Sequence, residues 1–118
     1  MEFKFDNNMP IYIQLVEYLK IYIISGEIGI GERLPSVRDL ALQSKVNPNT
    51  MQKALTELED LGLIYTERTN GKFVTEDKKL INKLKNKYAK DLSDKYISSM
   101  IDIGFDINEI IDFLKGGE

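Results

Sequence analysis

Leu34-Pro35-Ser36 and Asn47-Pro48-Asn49-Thr50 are two helix starts set so close together that only a short helix and a tight turn fit between them. Ser36 is suited to cap the first helix, and Asp39 three residues on fits the reciprocal half of a capping box. Val37, Leu40 and Ala41 then turn inward, and the helix stops near Ser44. Asn47 caps the next helix and Pro48 sits in its first turn, where a missing N–H costs nothing. Met51, Ala54, Leu55, Leu58 and Leu61 form its apolar stripe, and Gly62 closes it. Asn49, Gln52, Lys53 and Thr56 repeat at i, i+3, i+4, i+7 on the other side. Two short helices joined by a tight turn, the second with a polar stripe, make a helix-turn-helix.

The flanking segments complete a mainly α fold. Upstream, Met9-Pro10 opens a helix in which Ile11, Leu15, Tyr18, Leu19, Tyr22 and Ile23 share a face to about Ser25. Gly29 and Gly31 mark a loop. Downstream, Asn70-Gly71 lies between strand-forming residues, from Ile64 to Thr66 and at Phe73-Val74. That dipeptide predicts a hairpin whose turn has two positive φ angles, with Arg68 and Lys72 beside its tip. From Asp77 the pattern Leu80, Ile81, Leu84, Tyr88, Leu92, Tyr96, Met100, Ile103 gives a long helix that Gly104 stops. Asp106 and Glu109 start a last short one, with Ile110, Ile111, Phe113 and Leu114 as its apolar face.

Composition narrows the function. Cysteine and histidine are both absent, which removes disulfides, thiolate metal sites and the commonest general base. No convergent carboxylate pair replaces them, so neither catalysis, a cofactor nor a metal is expected. No apolar run is long enough for a membrane span, and the N-terminus lacks the basic and apolar regions of a secretory signal. A cytoplasmic location fits both. The net charge of −3 and pI near 5.1 run against nucleic acid as a partner. Duplex binding would then depend on local placement, with the carboxylates turned away from phosphate.

Such a placement is visible. Asn49, Thr50, Gln52 and Lys53 occupy the first two turns of the third helix, and no acidic residue follows until Glu57. Amides pair with adenine edges, lysine reaches guanine or phosphate, and a helix N-terminus attracts anions. The plain alternative is a solvated surface. Arg38, one turn into the second helix, is either an ordinary exposed arginine or a phosphate clamp. The hairpin is either a simple chain reversal or a wing reaching a neighbouring groove. The tail of one long and one short helix has more apolar face than the small body can cover. Pairing with a second copy through Leu84, Tyr88, Leu92, Tyr96 and Met100 would cover it and fix the spacing of two recognition helices.

Three segments carry a resemblance: Gly29 to Ala41 (GIGERLPSVRDLA), Asn47 to Glu59 (NPNTMQKALTELE) and Gly62 to Val74 (GLIYTERTNGKFV). Together they closely resemble the GntR family of bacterial transcription regulators. Pro10 to Leu15 (PIYIQL) and the short helical tail look like its YtrA-type branch. The resemblance implies a winged helix-turn-helix over residues 1–75 and a helical dimerisation tail over 76–118. It also implies a homodimer on an inverted-repeat operator in double-stranded DNA, usually repressing an operon, often one for an ABC-type transporter. By it, Arg38 is the DNA-contacting arginine after the Leu-Pro-Ser motif, with Ser36 beside it. Asn47, Asn49, Thr50, Gln52 and Lys53 fall on recognition-helix positions, and Arg68, Asn70, Gly71 and Lys72 on the wing. Where many relatives have a second wing glycine and a recognition-helix arginine, this chain reads RTNGK and carries Pro48 and Gln52. The tail is too short to enclose a metabolite, so a small-molecule effector would sit at the dimer interface or between domains. A rival reading is a winged-helix protein-interaction module that does not bind DNA.

Overall fold

The computed structural model describes residues 1–117. Its elements run α1 (Ile11–Ile24), α2 (Val37–Ser44), α3 (Pro48–Asp60), β1 (Ile64–Glu67), β2 (Gly71–Val74), α4 (Lys78–Asp102) and α5 (Ile107–Leu114). This is the mainly α fold with a β-hairpin wing that the sequence predicts. The chain divides into two compact units, Met1–Asn82 and a second beginning at Lys83.

In the first unit, α1 and α2 pack on α3, and Leu15, Leu19, Ile23, Leu40, Met51, Leu55 and Leu58 are buried together in its core. Val16 joins them, whereas Ile11, expected inside, is exposed. Leu61 is also exposed, against expectation. It caps α3 where the helix ends, and the chain turning at Gly62 buries Leu63 and Ile64 instead. Ile81, in the first turns of α4, is buried in the same unit.

Four helix ends close in one way. Val46 N–H donates to Ala41 O, Leu63 to Leu58, Phe105 to Met100 and Gly117 to Asp112, each with the shorter bond inside it, the Schellman arrangement. It needs a left-handed residue, which is Gly62 after α3, Gly104 after α4 and Gly116 after α5. After α2 it is Lys45, at φ 58°, the one non-glycine with positive φ among the described residues. A side chain there costs roughly 1–2 kcal/mol.

The wing departs from the turn expected. Asn70 does not have positive φ; Gly71 does, at 99°. Asn70 N–H donates to Glu67 O at 3.2 Å, so the reversal is built on a turn from Glu67 to Asn70, as longer hairpin loops commonly are. The strands pair antiparallel, Ile64 with Val74 and Thr66 with Lys72. Residues 31–34, read as loop, add to the free edge of β2. Val74 N–H donates to Glu32 O, Gly31 N–H to Val74 O and Leu34 N–H to Lys72 O, at 2.8–3.1 Å.

The N-terminal segment lies along α1. Gln14 exchanges hydrogen bonds with the Asp6 backbone, both 2.9 Å, and also donates to Met9 O. Tyr18 OH donates to Lys4 O and accepts from Lys4 N–H, and Tyr22 OH donates to Glu2 O. Two extended residues rise about 6.6 Å and four helical ones about 6 Å, so the two series stay in step. Phe3 and Phe5 meet the Tyr18 ring edge-on, with centroids 5.5 and 5.7 Å away.

In the second unit Ile110 is 1% exposed, and Phe105 packs edge-on against Phe113. Both halves of the Asp106–Glu109 capping box are made. Leu92, Ile103, Ile111, Phe113 and Leu114 remain exposed.

Candidate nucleic-acid interface

The helix-turn-helix leaves some of the predicted residues free and commits others. Ser36 Oγ accepts the Asp39 N–H at 3.1 Å and Asn47 Oδ1 the Asn49 N–H at 2.8 Å, so both are helix caps first. Each keeps its donor end for another partner. Arg38, Asn49, Gln52 and Lys53 are exposed, and Thr50 is half-buried. The Gln52 amide is held loosely, 3.4 Å from Thr56 Oγ1, and can turn outward at little cost. Arg38 has no ion-pair or hydrogen-bond partner among the described residues.

Lys53 is tethered. Its ammonium lies 4.4 Å from the centroid of the Tyr12 ring on α1, a contact worth about 0.5–1 kcal/mol at an exposed site. Partial burial, and then the hydrogen bond and charge of Glu57, push the Tyr12 phenol above its ordinary range. The ring therefore stays neutral, and Lys53 keeps its charge unpaired by it.

On the wing the two expected cations differ. Arg68 is exposed at the tip with no such partner among the described residues. Lys72 is bound internally, with Nζ 2.9 Å from both Glu59 Oε1 and Thr66 Oγ1. Thr66 in turn donates to the same Glu59 oxygen at 2.6 Å. The hydrogen bond from Lys72, and after it that from Thr66, hold the Glu59 carboxyl below its usual range. Asn70 is bound too, donating to Glu67 Oε2 at 3.0 Å.

Sequence reasoning missed Arg33. Ser36, Arg68, Gly71 and Lys72 line one cleft of about 620 Å³ between the start of α2 and the wing, and Arg33 is part of its wall. Arg38 and the α3 stripe lie outside that lining. No alternation marks residues 31–34 as a strand edge, because so few of them pair with β2. Among the described residues no group of side chains could hold a metal ion, and no helix is long and apolar enough to cross a membrane.

Residues 11–74 match the family described as bacterial regulatory proteins, gntR family. An uncharacterized HTH-type transcriptional regulator of Bacillus subtilis (strain 168), YhcF, is 33% identical over 115 residues, 98% of this chain and 95% of that protein. The HTH-type transcriptional repressor YtrA of the same organism is 41% identical over 73 residues, 62% of this chain and 56% of that one. A GntR family transcriptional regulator from Listeria monocytogenes superposes with a TM-score of 0.85 at 44% identity, covering 97% of this chain and 100% of that one. The AraR DNA-binding domain, solved in complex with operator ORX1, superposes with a TM-score of 0.55 at 29% identity, covering 64% and 92%.

Proposed function

The chain belongs to the GntR family of bacterial regulatory proteins, and on that premise we propose that it is a transcriptional repressor that binds an inverted-repeat operator as a homodimer. The observation that carries the reading is the outer face of α3 together with the arginines beside it. Asn49, Gln52 and Lys53 point outward from two turns without a carboxylate, and Arg38 and Arg68 are left without counter-ions in a chain whose net charge is negative. An acidic protein that leaves these cations unneutralised has placed them for an anion outside itself. The α3 stripe reads a major-groove half-site, Arg38 holds phosphate, and the wing reaches the neighbouring backbone.

The second unit supports pairing. Of the five tail residues expected at the contact, Leu92 is 67% and Tyr96 37% exposed, while Leu84, Tyr88 and Met100 are half-buried. A second copy covers such a face and sets two recognition helices at one separation. A transporter-type operon, which the resemblance to the YtrA-type branch implies, is the first target to test. The test is a salt titration on the chain's own promoter region. With five or six phosphate contacts, log K falls against log salt with a slope of roughly −4 to −6. A slope near zero leaves the protein-interaction reading in its place.

A further inference from the structure

We propose that Arg33 is a phosphate-binding residue shared between the wing and the start of α2, an inference that rests on the DNA-binding reading above. The backbone around it is fixed. Val74 N–H bonds to Glu32 O and Leu34 N–H to Lys72 O, so Arg33 stands opposite Phe73 as an added edge on β2. The guanidinium lies over Gly71: a methyl group on that glycine would stand 3.2 Å from Arg33 Nε and 3.4 Å from Nη2. With no Cβ between them, the planar cation rests on the wing backbone at the wall of the cleft that Arg68 also lines.

Three of the carboxylates nearby accept other donors. Glu32 accepts the Gly29 N–H at 2.5 Å, Glu67 accepts from Asn70, and Glu59 from Lys72 and Thr66. Arg33 itself has no ion-pair or hydrogen-bond partner among the described residues. Asp39 and Glu67 also line the cleft, so its wall carries three cations, Arg33, Arg68 and Lys72, against two carboxylates. A guanidinium held flat at an open cleft, with its donors unused, fits a phosphodiester by two parallel N–H···O bonds.

The experiment uses the full chain and a short mixed-sequence DNA duplex. Arg33→Gln should flatten the slope of log K against log salt by about 1 for each arm in contact. Arg33→Lys should keep most of the slope while losing affinity, because the charge stays and the paired geometry does not. An Arg33→Gln protein with wild-type melting and wild-type slope, beside an Arg38→Ala protein whose slope is flattened, overturns the inference and leaves the proposed function standing. A wild-type slope of zero removes both. Should Arg33→Gln unfold the wing, the wild-type protein decides. The Arg33 Nε–H resonance should shift and saturate as duplex is added, and stay in place with inorganic phosphate at equal ionic strength. No shift with duplex, or an equal shift with phosphate alone, overturns the assignment.

Discussion

Lys72 Nζ sits 2.9 Å from Glu59 Oε1, so the wing's lysine is neutralised by the helix proposed to read DNA. The pair fastens β2 to α3 through Thr66 and subtracts one cation from the wing. Glu59 has its carboxyl value depressed in the folded chain. Its contribution to stability is therefore complete above the unfolded value and is lost as pH falls through the folded one. Both groups are partly exposed, so the pair stabilises by no more than about 1 kcal/mol. Glu59→Gln should be less stable than wild type near neutrality, with the gap closing as the buffer is taken toward acid. Urea unfolding across that range measures it; a gap that widens in acid contradicts the assignment. The same variant frees Lys72 and should steepen the salt dependence of duplex binding.

Arg38 and Gln52 should separate holding from reading. Arg38 has a fixed charge and no internal partner, so Arg38→Ala should weaken operator and random duplex alike. Gln52 is exposed and only loosely bonded to Thr56. Gln52→Ala should cost about 1–3 kcal/mol on the preferred site and relax the choice of particular bases. Selection from a random library with each variant gives the answer. An unchanged preferred sequence for both Gln52→Ala and Asn49→Ala would show that α3 is not the reader.

Lys45 carries a cost that the glycines at equivalent helix ends avoid. Lys45→Gly should remove roughly 1–2 kcal/mol of left-handed strain and lose about 0.5–1 kcal/mol to the freer unfolded chain. A small net stabilisation is expected in thermal melts at high salt, where any attraction of the lysine to the end of α2 is screened. If Lys45 sits there to meet phosphate, the same variant should bind duplex less tightly. A variant both less stable and tighter-binding would reverse both halves of this account.

The parts of the fold that were legible are those with local signatures. Ser36, Asn47 and Asp106 declare helix starts through their own cap bonds, and Asn70-Gly71 declares a reversal even though its turn type differs. The strand edge at residues 31–34 was hidden because its partner lies across the chain in β2 and too few residues take part to show alternation. Arg33 was missed with it, since nothing in the sequence places it over Gly71. The N-terminal segment was hidden for another reason: its backbone is satisfied by the Gln14, Tyr18 and Tyr22 side chains. Leu61 was assigned to the core by continuing a helical stripe one step past the point where Gly62 turns the chain.

The exposed apolar residues of the tail should join the second unit to function by holding two copies together. Ending the chain after Thr75 would remove Ile81, which is 5% exposed in the first unit, so the truncation that leaves that unit whole ends after Asn82. It should give a folded monomer that binds one half-site nearly as well as the whole protein does. In a dimer the second half-site is met at an effective concentration on the order of millimolar, which raises affinity by about 10²–10⁴ with no new contact. The truncated chain should lose that factor on a two-site duplex alone. Leu92→Glu tests the same point in the full chain. Because Leu92 is largely exposed in the single chain, the substitution should leave the fold intact and remove the dimer. Sedimentation gives the mass, and titration of one-site and two-site duplexes in parallel gives the affinities. A Leu92→Glu protein that stays dimeric, together with a truncated one that keeps full two-site affinity, would place the dimer contact outside the tail.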